Sequence, residues 1–132
     1  MPGDPEIQSW KILVVDDDED NRNVASQYLG FLGAEVRTAV DGETGLAALG
    51  AFQPTFILLD LSMPAMDGWE MHRRLRAEPS TAHIPVIALT AHAMQEDADK
   101  AIATGFNGYI TKPFLLSTLI TDIKQSLARA GE

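Results

Sequence analysis

The chain has 132 residues, 45% of them hydrophobic, which is the size and composition of one globular domain. Its 19 acidic and 10 basic residues give a formal net charge of -9, which disfavours direct binding to nucleic acid because the phosphate backbone is also negative. It has no cysteine, which excludes disulfides and thiolate metal sites, and no signal peptide or membrane-spanning apolar stretch is recognisable, so a cytoplasmic location is expected.

Short apolar runs alternate along the chain with segments whose apolar residues recur at helical spacing. Residues 11–15 predict a buried strand because a β-branched run ends abruptly in acids, and residues 20–32 predict the helix that follows it. The later predicted elements are a strand at 35–39, a helix at 41–49, a strand at 55–59, a helix at 67–77, a strand at 86–89, a helix at 94–102, a strand at 107–110 and a helix at 115–127. Residues 1–9 are expected to form a flexible tail, and residues 10–130 a single domain.

Five strands that alternate with five helices predict an α/β fold in which one parallel sheet lies between two layers of helices. Because the crossovers between parallel strands are right-handed, few topologies are possible. We expect the flavodoxin-like one, a (βα)5 three-layer sandwich with strand order 2-1-3-4-5. Ligands in such sheets bind beyond the C-terminal ends of the strands, where the strand order reverses.

Acidic residues follow two strands that this order makes neighbours. Asp16 and Asp17 come directly after the first strand, and Asp60 comes after the third. Three carboxylates at one edge of a sheet repel each other unless a cation lies among them. Helix capping explains acids such as Asp18 and Asp20, but it does not explain the convergence of the other three. Oxygen ligands without histidine or cysteine favour Mg²⁺ or a similar divalent ion such as Mn²⁺.

The next two strands also end in polar residues. Thr90 ends the fourth strand, and Lys112 follows the fifth. A hydroxyl group and an ammonium group directed at an acid cluster suit an anion that arrives with a magnesium ion. A phosphoryl group on Asp60 is such an anion, and in its absence Lys112 can pair with Asp60 directly.

Four sequence features in this order closely resemble the receiver domain of two-component response regulators. They are Val-Val-Asp16-Asp17, Asp60-Leu-Ser-Met-Pro-Ala-Met-Asp-Gly68, Thr90-Ala91 and Lys112-Pro113. The resemblance covers about residues 10–130. It implies a signalling switch, rather than an enzyme, that accepts a phosphoryl group from phosphohistidine on a sensor histidine kinase or a phosphotransfer protein.

The resemblance also implies a role for each matching residue. Asp60 would be the phosphoacceptor, and Asp16, Asp17, Asp60 and the backbone carbonyl of Ser62 would hold Mg²⁺ or Mn²⁺. The residues expected to bind the phosphoryl group or respond to it are Thr90, Ala91, Tyr109 and Lys112. The Lys112–Pro113 peptide would be cis. Ser62 and His92 would tune hydrolysis of the phosphorylated form, in a direction that the sequence leaves open.

The resemblance further implies a surface that contacts a downstream protein, formed by the helix at 94–102, the strand at 107–110 and the last helix. A monomer and a phosphorylation-dependent dimer are both compatible with it. The stretch from Asp17 to Arg22 is similar to receivers of hybrid histidine kinases, so a receiver excised from such a kinase is an alternative. A receiver-like interaction module that is never phosphorylated is another.

Two enzyme-like readings fit the sequence less well. A magnesium-dependent phosphohydrolase would need a second acid at the position of Ser62. A flavin carrier would need a phosphate-binding loop where Asp16 and Asp17 lie.

Overall fold

The computed structural model describes residues 3–91 and 95–131, apart from the side chains of residues 95 and 96. Its five strands are β1 Lys11–Val15, β2 Glu35–Ala39, β3 Phe56–Asp60, β4 Val86–Thr90 and β5 Gly108–Thr111. Its helices are α1 Pro5–Gln8, α2 Glu19–Phe31, α3 Gly42–Ala48, α4 Gly68–Ala77, α5 Gln95–Thr104 and α6 Leu116–Ala130. The strands form one parallel sheet in the order β2-β1-β3-β4-β5, which confirms the predicted topology.

The central strands are buried on both faces because helices cover each side of the sheet. Alternate residues of β1 and β3 contribute to two separate clusters of apolar side chains. Leu13 and Ile57 belong to one cluster, whereas Ile12 and Phe56 belong to the other, and all four are fully buried. This burial explains why these strands are continuous apolar runs rather than alternating ones.

The N-terminal segment departs from the flexible tail expected for residues 1–9. Pro5–Gln8 form a helical turn whose N-cap is Asp4. The side chains of Ile7 and Trp10 are both 3% exposed, since they pack into the apolar cluster beside α2 and α6. Lys124 of α6 lies 2.9 Å from a carboxylate oxygen of Asp4. Burying two large apolar side chains offsets the entropy lost when this segment is ordered.

A stack of rings joins α4 to the segment between α5 and β5. The rings of His72 and Phe106 are stacked with centroids 4.0 Å apart, and Trp69 meets Phe106 edge-on at 5.5 Å. The ammonium group of Lys100, on α5, lies 4.7 Å from the centroid of the Trp69 ring. Burial lowers the pKa of His72 to about 4, and the positive charge of Arg76 acts in the same direction. The stack therefore holds a neutral imidazole between α4 and the segment that connects α5 to β5.

The apolar stripe of the last helix is buried only from Leu119 onward. The side chains of Leu115 and Leu116 are 67% and 41% exposed, whereas Leu119 and Ile123 are buried. Val24 of α2, which also fits a helical stripe, is 42% exposed.

In the described part of the chain, no helix combines the length and the apolar character needed to cross a membrane.

Candidate functional site

The predicted acidic residues meet at the C-terminal ends of β1 and β3. Val15 is paired with Leu59, so the residues that follow them, Asp16 and Asp60, lie side by side. Asp16 is fully buried and Asp60 is 1% exposed, while Asp17 lies at the surface. The three side chains offer carboxylate oxygens that all lie within 4.8 Å of one another. The parallel register thus assembles a compact group of oxygen ligands.

Lys112 joins two of these acids. Its Nζ lies 3.2 Å from Asp16 Oδ2 and 3.3 Å from Asp60 Oδ1. The Lys112–Pro113 peptide bond is cis, and the backbone N–H of Lys112 donates a hydrogen bond of 2.7 Å to the carbonyl oxygen of Thr90. Burial opposes the charge on Lys112, but the two carboxylates outweigh it and raise the pKa of the ammonium group. Lys112 therefore stays positively charged inside the pocket.

The two carboxylate oxygens of Asp60 differ in their partners. Oδ1 accepts a hydrogen bond of 3.1 Å from the backbone N–H of Ser62 and faces Lys112. Oδ2 is buried and has no hydrogen-bond partner among the described residues. Burial, followed by the charge of Asp16, raises the pKa of Asp60 to about 7. A buried oxygen that is unpaired among the described residues is suited to bind a cation or a water molecule.

This oxygen environment fits a hard divalent cation. Carboxylates are the ligands that Mg²⁺ prefers, and among the described residues the pocket offers three of them without histidine or cysteine. Oδ2 of Asp60 is unpaired among the described residues, and the carboxylate of Asp17 is exposed, so both can bind a cation that enters from solvent. Asp16, Asp17 and Asp60 are the residues that could hold such an ion.

Arg22, which the sequence interpretation overlooked, forms a hydrogen bond with the loop that carries Asp16 and Asp17. Arg22 Nη1 donates a hydrogen bond of 2.7 Å to the backbone carbonyl oxygen of Asp16. The carboxylate of Asp16 accepts a second bond, of 2.9 Å, from the backbone N–H of Asp18. The available signal was a basic residue in the first turn of a helix, where the helix dipole disfavours a positive charge.

Thr90 and Tyr109, the predicted switch pair, lie on neighbouring strands. Thr90 is 3% exposed, ends β4 and is in register with Thr111 of β5. Burial and the negative charge of Asp97 raise the pKa of the half-buried Tyr109, and a hydrogen bond with Thr90 acts in the opposite direction. The two side chains are therefore in contact. Ala91 follows Thr90 at the surface, and His92 lies outside the described residues.

The loop between β3 and α4 is folded tightly against the pocket. The backbone N–H of Gly68 donates to the carbonyl oxygen of Leu61 at 3.1 Å. A side chain at Gly68 would overlap the backbone carbonyl oxygen of Asp60, so only glycine fits there. Asp67 caps α4 by accepting a bond from the backbone N–H of Glu70. These contacts explain the Asp-Gly pair in the motif and place Ser62 at the mouth of the pocket.

The sequence matches the family model of the response regulator receiver domain over residues 12–124. It is 41% identical to an uncharacterized 14.6 kDa protein of Leptolyngbya boryana, an alignment that covers 90% of this chain and 91% of that protein. It is 37% identical to the DNA-binding dual master transcriptional regulator RpaA of Synechocystis, of which it spans only about half, 49%. Among solved structures, the chemotaxis response regulator CheY4 of Vibrio cholerae superposes with a TM-score of 0.81 at 32% identity, covering 88% of this chain and 97% of that one.

Proposed function

This chain belongs to the response regulator receiver domain family, and we propose that it is switched by transfer of a phosphoryl group from phosphohistidine to Asp60. The observation that carries the proposal is the buried Asp60 carboxylate, which has one unpaired oxygen and lies 3.3 Å from the ammonium group of Lys112. A purely structural aspartate at this depth would be fully hydrogen-bonded. The donor is a sensor histidine kinase or a phosphotransfer protein.

The reaction is an in-line displacement at phosphorus. A carboxylate oxygen of Asp60 forms the new O–P bond while the N–P bond to the donor imidazole breaks, and the imidazole leaves with the electron pair. No general base is needed, because the ionised carboxylate of Asp60 has no proton to lose before it attacks. Lys112 stands beside Asp60 and is suited to stabilise negative charge on the transferred group.

The site fits Mg²⁺ or Mn²⁺, which would be held by Asp16, Asp17 and Asp60, with the Ser62 carbonyl as a further ligand. When bound, the ion neutralises charge on the phosphoryl oxygens. A cation also stabilises the ionised form of Asp60, whose pKa is otherwise about 7. The protein thus couples the presence of metal to the reactivity of the nucleophile.

The phosphorylated state is read out through Thr90 and Tyr109. We infer that Thr90, at the end of β4, donates its hydroxyl to the new phosphoryl group and so gives up its contact with Tyr109. Tyr109 lines a groove of about 280 Å³ between α5 and α6, with Ile102 and Asp122 among its walls. A change in Tyr109 would therefore alter this surface, where a downstream protein or a second receiver would bind.

The lifetime of the phosphorylated state is proposed to depend on Ser62 and His92. Ser62 is small and lies at the mouth of the pocket, so its side chain leaves space for water near Asp60. Replacing it with a larger residue such as leucine should slow hydrolysis. The test is the decay of the phosphorylated protein, measured for Ser62→Leu, His92→Ala and the unaltered chain.

Intact-mass measurement after incubation with Mg²⁺ and acetyl phosphate tests the proposed function. We expect the unaltered protein to gain one phosphoryl group, dependent on Mg²⁺, and Asp60→Asn to gain none. Asp41→Asn is a matched control because Asp41 caps α3 and belongs to no part of the pocket. If the unaltered protein stays unmodified and beryllofluoride also fails to bind, the chain is a receiver-shaped interaction module instead.

A further inference from the structure

The position of Arg22 near the N-terminus of α2 is unfavourable for a positive charge unless a hydrogen bond or ion pair stabilises the guanidinium group. Arg22 lies in the first turn of α2, which begins at Glu19, and the positive end of the helix dipole repels a cation there. Its guanidinium group nevertheless points back toward β1, where Nη1 donates a hydrogen bond of 2.7 Å to the carbonyl oxygen of Asp16. This charge-assisted bond compensates for the location.

Among the contacts of the described residues, the atom that Arg22 binds accepts no other hydrogen bond at the site. Of the two carboxylate oxygens of Asp16, Oδ1 accepts from the backbone N–H of Asp18 and Oδ2 faces Lys112. Arg22 leaves both free for those partners and takes the backbone carbonyl. That carbonyl belongs to the peptide unit leading into Asp17, so the bond fixes the direction in which Asp17 leaves the strand.

We propose that Arg22 is a positioning residue for divalent-cation binding, which acts by holding the Asp16–Asp17 peptide so that both carboxylates face Asp60. The inference rests on the proposed function, because it concerns the metal site of the same switch. Arg22 would act through the Asp16 carbonyl oxygen and not as a ligand of the ion. Its role resembles that of groups that orient the ligands of metal sites, whose removal weakens metal affinity about 10- to 100-fold.

The sign of the effect separates positioning from simple electrostatics. A positive charge beside three carboxylates repels a divalent cation, so an electrostatic role alone predicts tighter metal binding when Arg22 is removed. Positioning predicts weaker binding, because Asp17 then samples orientations that do not face the site. Three variants resolve the two effects: Arg22→Ala, Arg22→Gln and Arg22→Lys.

Mn²⁺ affinity, measured from the electron paramagnetic resonance signal of the free ion, is the primary readout. We expect Arg22→Ala to weaken binding by about tenfold. Arg22→Lys keeps the charge and one donor and should recover part of the loss, whereas Arg22→Gln, which keeps a donor without charge, should lie between Ala and Lys. Arg73→Ala removes the same charge from the exposed surface of α4 and should leave the affinity unchanged. Thermal denaturation in EDTA checks that each variant is folded.

Phosphorylation by acetyl phosphate supplies a second readout that loss of folding would not reproduce. Arg22→Ala should need more Mg²⁺ for half-maximal rate but reach a rate close to that of the unaltered protein at saturating Mg²⁺. An unchanged or tighter Mn²⁺ affinity in Arg22→Ala overturns the inference, while leaving the proposed function intact. Failure of the unaltered protein to bind Mn²⁺ overturns both.

Discussion

Replacing Asp60 with asparagine should stabilise the metal-free protein at neutral and alkaline pH. Burial and the charge of Asp16 raise the pKa of Asp60 from 3.8 to about 7, so the native carboxyl group keeps its proton longer than the unfolded one does. Between these two values the native state binds more protons, and the free energy of unfolding falls as the pH rises. The shift corresponds to about 4 kcal/mol once the group is fully ionised. Asparagine has nearly the same shape and carries no charge.

Urea denaturation in EDTA, from about pH 4 to about pH 8, measures this effect. We expect the unaltered protein and Asp60→Asn to unfold with similar free energies at the acidic end, and the variant to become the more stable by up to about 4 kcal/mol at the alkaline end. Mg²⁺ should remove much of this difference in the free energy of unfolding, because it binds only the native protein with an ionised Asp60. At a concentration 100 times the dissociation constant, such binding stabilises the native state by about 2.7 kcal/mol.

Asp41→Asn provides a control with the opposite pH dependence. Hydrogen bonds from Thr44 lower the pKa of Asp41, so its carboxylate stabilises the native state above the unfolded pKa and loses that effect as the pH falls. A difference between Asp60→Asn and the unaltered protein that stays constant with pH would refute the reasoning. So would an unaltered protein that is the more stable of the two at about pH 8 in EDTA.

Three further substitutions test packing and protonation. Gly68→Ala should lower the free energy of unfolding by about 1 to 3 kcal/mol, because the new methyl group overlaps the Asp60 carbonyl oxygen. Gly30→Ala is the control and should be stabilising, because open space surrounds this position in α2. Equal effects of the two substitutions in urea denaturation would contradict this. His72→Phe should remove an acid-induced loss of stability of up to about 3 kcal/mol as the pH falls from 6.5 to about 4, since the buried imidazole resists protonation, and a variant that keeps the same acid sensitivity would exclude His72 as its source. Trp10→Ala should cost about 3 to 5 kcal/mol in urea denaturation because the side chain is 3% exposed, and a loss below about 1 kcal/mol would mean that the N-terminal turn is not packed in solution.

The topology and the acidic cluster could be predicted because their signals are local. Each central strand is a continuous apolar run, which identifies a strand covered on both faces. The strand order then determines which strand ends are neighbours, so Asp16 and Asp60 follow from their places at the ends of β1 and β3. The pairing of Lys112 with Asp60, expected in the absence of phosphate, is also present at 3.3 Å.

The features that escaped prediction depend on surfaces that form only in the folded chain. Trp10 and Ile7 precede the first strand in a segment rich in proline and acids, and they become core residues only because the apolar cluster beside α2 and α6 accepts them. The hydrogen bond from Arg22 to the Asp16 carbonyl oxygen depends on the side-chain rotamer of Arg22, which residue spacing does not specify. The unpaired oxygen of Asp60 likewise results from the burial created by three adjacent strands.

The two tryptophans of the chain occupy positions that make them separate optical probes. Trp10 lies edge-on against Phe56 at 5.2 Å inside the apolar core, so its emission follows global unfolding. Trp69 is flanked by the ammonium group of Lys100, a charge carried by a different helix, so any displacement of α5 relative to α4 changes the electric field at the indole. A Trp10→Phe variant would therefore carry a single tryptophan, which can be excited selectively over the two tyrosines and used to time movement of α5 after rapid mixing without attaching a dye.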